Sequence, residues 1–131
     1  MALDVSIRAL ALVAGGSAIG GALRFLVQTW LTRQDFPWGT VAVNLAGSFL
    51  IGLLMFGAIA RGYFGADTRV FLGVGLLGGF TTMSSFAYET LAFAEDAEVL
   101  RAIAYAALTV FGSLAMAYLG RLAARVPMGG V

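Results

Sequence analysis

Gly78-Gly79-Phe80-Thr81-Thr82-Met83-Ser84-Ser85-Phe86 is the stretch on which the reading of this chain turns, because it lies inside an otherwise apolar segment running from Val70 to Phe93. Adjacent glycines lower helix propensity, and the hydroxyls that follow compete with the helical ladder for nearby backbone groups. In lipid, backbone freed in this way must be satisfied by protein or by a cavity holding water or an ion. Two readings follow. In one the span is broken in mid-membrane and its bare carbonyls form an ion site. In the other Gly75 and Gly79 form a small-residue face for a neighbouring helix, and the hydroxyls bond back to their own helix.

The rest of the chain says that the solvent is a membrane. Of 131 residues 60% are hydrophobic and 11% charged, where an ordinary soluble domain has roughly 45–50% and 25%. Mean hydropathy is +0.92. The length fits one domain, 1–131, of four spans at about 7–31, 38–60, 70–95 and 100–123. Such a chain has no room for a soluble catalytic domain or a nucleotide-binding loop, so it reads as a non-enzyme without nucleotide or nucleic-acid partners. Cysteine and histidine are absent, which removes disulfides, thiolate chemistry and the usual transition-metal ligands.

Polar residues recur inside the spans at four-residue spacing, which lines them up on helix faces. The first span carries Gly16 and Gly20, then Arg24 one turn before Gln28. Arg24 either snorkels to the interface, as arginine near helix ends generally does, or holds a fixed partner. Pro37 suits the start of the second span, whose Thr40, Asn44 and Ser48 share a face. Asn44 needs partners for two donors and an acceptor, either a solute or a neighbouring helix. Beyond the central stretch, Ser85 and Glu89 stand four apart, and the fourth span repeats the pattern with Tyr105, Thr109 and Ser113.

These faces are rich in N–H and O–H donors, and Glu89 is the only carboxyl expected within a span. That balance suits a small anion, with the edge of Phe86 offering the weakly positive part of its ring quadrupole. A hard, compact anion loses most by leaving water and needs the densest donor set in return. Donor counting does not choose between fluoride, chloride and a polar neutral solute.

The motifs resemble those of the Fluc (CrcB) family of small bacterial fluoride channels, across all four spans. Gly16, Gly20 and Arg24 follow its G-x-x-x-G-x-x-x-R pattern. The run from Gly39 through Thr40, Val43, Asn44, Gly47 and Phe49 to Gly52 resembles GT-x-x-VN-x-x-G-x-F-x-x-G, the family's most specific stretch. Gly78, Gly79, Thr81, Thr82, Ser84, Phe86 and Glu89 match GG-x-TTFSTF-x-x-E, and Tyr105, Thr109 and Ser113 fall at hydroxyl positions.

The resemblance implies an all-α membrane protein with a broken third helix, acting as an antiparallel homodimer. It implies passive fluoride export across the bacterial inner membrane, relieving fluoride toxicity. It also implies a structural sodium ion at the dimer interface, held by the carbonyls of Gly78 and Thr81. The fluoride pathway would comprise Asn44, Met83, Ser84, Phe86, Tyr105, Thr109 and Ser113, with Arg24 and Glu89 as structural or vestibule residues. This chain departs from the pattern at Met83, where the family usually has the first of two phenylalanines, and at Ser85, where threonine is common. Two other readings are a small multidrug-type exchanger, which needs a first-span carboxylate that this chain lacks, and a non-transporting assembly subunit.

Overall fold

The computed structural model describes residues 5–32 and 35–125, and among them every long element is helical. Four helical spans, Ile7–Leu31, Trp38–Ile59, Ala66–Glu95 and Val99–Ala123, are long and apolar enough to cross a membrane. The shortest has 22 residues, so at 1.5 Å per residue it reaches roughly 33 Å, just over the hydrocarbon thickness.

Local chemistry sets the ends. Ser6 caps the first span by accepting the Ala9 N–H at 3.1 Å, and Pro37 precedes the second where its missing N–H costs nothing. The second span ends in a six-residue wide-turn segment, Leu54–Ile59, followed by Gly62 at φ +72°, a conformation that glycine adopts without strain. The third span begins at Ala66, four residues before the expected Val70. Its first turn carries Asp67, which suits the positive helix end and forms an ion pair with Arg8 of the first span.

Lipid tails give no hydrophobic drive for helices to associate, so the bundle is built by close backbone approach. The first span packs on the first half of the third, and the second on the fourth. A methyl group at Gly16 would fall 2.5 Å from the Phe71 carbonyl oxygen, and one at Gly79 would fall 2.9 Å from Ser17 Cα. The expected small-residue face is therefore real: Gly75 meets Gly16, Gly79 meets Ser17, and Gly20 lies against the Leu76 and Phe80 backbone.

The expected break is real as well, and narrower than the nine residues that suggest it. Gly78–Phe80 is still helical, Thr81 and Thr82 alone are extended, and the helix restarts over Met83–Glu95. Glycine tolerance and chain breaking thus fall on successive residues of one span. The break follows the glycines because the partners that hold open backbone sit opposite the threonines.

Candidate functional site

At the break Thr81 has φ −83° and ψ 160°, and Thr82 has φ −150° and ψ 117°. Extended backbone in mid-span exposes peptide groups that lipid cannot satisfy, and Asn44 satisfies both those of Thr82. The Thr82 N–H donates to Asn44 Oδ1 at 2.8 Å, and Asn44 Nδ2 donates to the Thr82 carbonyl at 3.0 Å. The amide thereby acts as a one-residue strand neighbour. Thr82 Oγ1 accepts the Ser85 N–H at 3.2 Å and so caps the restarted helix. The hydroxyl and N–H of Thr81 both donate to the Leu77 carbonyl at 3.1 Å, closing the first half-helix.

This arrangement releases particular carbonyls. In an unbroken helix the Thr82 N–H would serve Gly78 and the Ser85 N–H would serve Thr81. Both donors are diverted, to Asn44 and to Thr82 Oγ1. The Thr81 carbonyl takes up Arg24 instead, whose Nη1 donates to it at 3.2 Å. Arg24 therefore holds a fixed partner in the protein and does not snorkel. Gly78 is exposed, with nothing nearer than 3.9 Å to where its side chain would begin.

Beside the break lies an open cleft of about 500 Å³. Its polar wall includes Asn44, Ser48, Thr109 and Ser113, and Met83 and Phe86 add an aromatic and thioether side. Asn44 uses one of its two Nδ2 hydrogens on Thr82. The Thr109 hydroxyl is buried beside the Tyr105 hydroxyl, so the free donor among these groups is the second Nδ2 hydrogen of Asn44.

A second network lies behind this cleft and ties all four spans together. Gln28 Nε2 donates to Thr40 Oγ1 at 3.0 Å, Thr40 Oγ1 donates to Glu89 Oε1 at 2.9 Å, and the Tyr105 hydroxyl donates to Glu89 Oε2 at 2.5 Å. Both oxygens of Glu89 are thus used as acceptors within the protein. The Tyr105 ring is fully buried among Phe36, Phe86 and Phe93, with centroids 5.4–5.9 Å away.

Of the residues expected along an anion pathway, Asn44, Met83, Phe86, Thr109 and Ser113 line the cleft, together with the two carbonyl residues Gly78 and Thr81. Tyr105 lies one layer back, behind Phe86, and Ser84 is exposed close to the Thr82 hydroxyl, 3.4 Å away. Glu89 is not on the cleft wall; it is the hub of the rear network. Gln28 and Thr40 were not expected as site residues. The signal for Gln28 was available, since Gly16, Gly20, Arg24 and Gln28 continue one four-residue series down a single helix face.

The chain matches the family described as CrcB-like protein, Camphor Resistance (CrcB), over residues 11–121. It is 44% identical over 119 residues to the fluoride-specific ion channel FluC of Anaeromyxobacter dehalogenans, covering 88% of this chain and 94% of that protein. The fluoride-specific ion channel FluC of a Thermus thermophilus strain is 48% identical over 113 residues, 83% of this chain and 89% of the relative. The FluC 1 of Methanosarcina acetivorans is 37% identical over 115 residues, 86% and 88% of the two chains.

Proposed function

The chain belongs to the CrcB family, and from that premise we propose that it is a fluoride-selective channel of the cell membrane, the inner membrane in bacteria, that lets the anion leave passively. The observation that carries this reading is the donor-lined cleft at the helix break, where Asn44 keeps a spare N–H and Ser48 and Ser113 add hydroxyls. A compact anion leaving water needs such donors held in place before it arrives. Asn44 is held by Thr82, and Phe86 is backed by Tyr105.

The expected result in proteoliposomes is fluoride efflux, read with a fluoride electrode, without ATP or a proton gradient. Chloride efflux at an equal rate would remove the selectivity.

In this reading Met83 and Phe86 are three apart on the restarted helix and share the cleft wall. The thioether methyl stands in for an aromatic edge. Met83 is 72% exposed on the single chain, so a larger side chain there meets no packed core within its own chain. Met83→Phe is therefore expected to conduct within about threefold of the parent, less than 1 kcal/mol, whereas Phe86→Ala loses flux. Both are measured as efflux per folded protein. A Met83→Phe variant with no flux would show that the thioether does something a ring edge cannot.

The dimer and its ion belong to the same proposal. The released carbonyls of Gly78 and Thr81 fit a sodium ion, because carbonyl oxygen suits a hard cation and Thr81 keeps a second lone pair beside Arg24. Bound there, sodium would supply positive charge that ties two half-helix ends together. Two carbonyls are too few for such an ion, and a second, antiparallel copy would double them. Five arginines, Arg8, Arg61, Arg69, Arg121 and Arg125, belong to the termini end against Arg101 at the other, joined by Arg33 from its place in the sequence between the first two spans and by Arg24 nearer that side, a mild bias under the positive-inside rule. Since the chain has no cysteine, one introduced at a loop reports orientation directly. Labelling of some copies from each side of intact cells is expected, and protection of every copy from one side would contradict an antiparallel homodimer.

A further inference from the structure

A second cleft, of about 450 Å³, opens at the end of the bundle that carries the chain termini, between the second, third and fourth spans. One wall is the stripe Leu50, Leu54, Ala58 and Arg61, and the other includes Leu72 and Leu76. Eleven residues separate Leu50 from Arg61, so the stripe runs roughly 16 Å from mid-span to the interface. Both walls pass through the wide-turn segments Leu54–Ile59 and Val70–Leu77. The polar groups of the cleft, Arg61 and Tyr63, are both at its outer end.

We propose that this cleft is a binding site for an anionic phospholipid, one acyl chain lying along the leucine stripe and the headgroup phosphate meeting Arg61. Charge selects this occupant. Among the described residues Arg61 has no carboxylate partner, whereas Arg8 is paired with Asp67 and Arg101 with Glu98. Arg8, Arg61, Arg121 and Arg125 face only Asp67 among the described acidic residues of this end, and anionic headgroups are drawn to such a surface. A long apolar slot with its cation only at headgroup depth matches one lipid chain and its phosphate. Leu77 faces both clefts, and its carbonyl receives the two Thr81 donors. Lipid in the outer cleft therefore braces the helix turn that leads into the break.

The test uses the full chain in detergent with phosphatidylglycerol or phosphatidylcholine of identical acyl chains, read by native mass spectrometry and melting temperature. Phosphatidylglycerol is expected to be retained about fivefold more tightly, the worth of one arginine near a charged surface, and to raise the melting temperature more. Arg61→Gln should remove that preference, and Ala58→Phe, which fills the slot, should lower retention of both lipids. Circular dichroism confirms that each variant is folded. Equal retention of the two lipids by the parent protein overturns the proposal, as does a preference that survives Arg61→Gln. If Ala58→Phe changes the oligomeric state and leaves lipid retention alone, the slot is covered by a second copy. If removing residues 126–131 raises retention of both lipids several-fold, the slot belongs to the chain's own C-terminus. Either result also overturns the lipid site.

Discussion

Asn44→Leu is expected to abolish fluoride flux and to lower the melting temperature in the same variant. Leucine is close in size, so the loss is one of polar groups. The Thr82 N–H and carbonyl, both served by the Asn44 amide, are left without partners at a residue only 6% exposed. Each buried unsatisfied group costs about 1–3 kcal/mol, which makes roughly 2–6 kcal/mol for the pair. The anion loses the spare N–H as well. A hydrogen bond to a charged group is worth about 1.5–3 kcal/mol, or a fall of roughly 10- to 150-fold in flux, before any collapse of the break is counted.

Asn44→Asp separates the two roles. It keeps an acceptor for the Thr82 N–H, but removes both N–H donors and sets a carboxylate in the anion's way. Stability should recover in part while flux stays lost. An Asn44→Leu protein that melts early yet conducts normally per folded molecule would make Asn44 a backbone clamp and nothing more.

How much of this was legible in the sequence depends on whether a residue's partner lies on its own helix or across the bundle. Spans are legible because hydropathy and length are local, and the four appear with shifts of a few residues at their ends. The break was legible from composition, but its position at Thr81–Thr82 was not. That position is set by where Asn44 and Arg24, on two other spans, reach the backbone. Spacing along one helix put Tyr105, Thr109 and Ser113 on one face, yet a face is wide. Thr109 and Ser113 meet the cleft, while Tyr105 turns its hydroxyl to Glu89. Arg24 shows the same limit, since snorkelling is a property of an isolated helix and the Thr81 carbonyl belongs to a neighbour.

The placement of Tyr105 gives the second large expected effect. Glu89→Ala takes the acceptor from two hydroxyls at once, Thr40 and Tyr105, and both residues are fully buried. Two stranded donors again cost roughly 2–6 kcal/mol, and the Gln28–Thr40 bond loses the anchor that holds the first span in line with the second. The protein is expected to melt much earlier, or to fail to assemble. Tyr105→Phe is the milder probe, because it keeps the ring against Phe36, Phe86 and Phe93 and deletes only the hydroxyl. One oxygen of Glu89 then lacks a donor, at about 1.5–3 kcal/mol. Flux per folded molecule should change little, since the cleft wall is Phe86 and the tyrosine stands behind it. Melting temperature and fluoride efflux measured on the same preparation decide the matter. An unchanged melting temperature with flux lost would bring the Tyr105 hydroxyl out of the rear network and onto the anion's path.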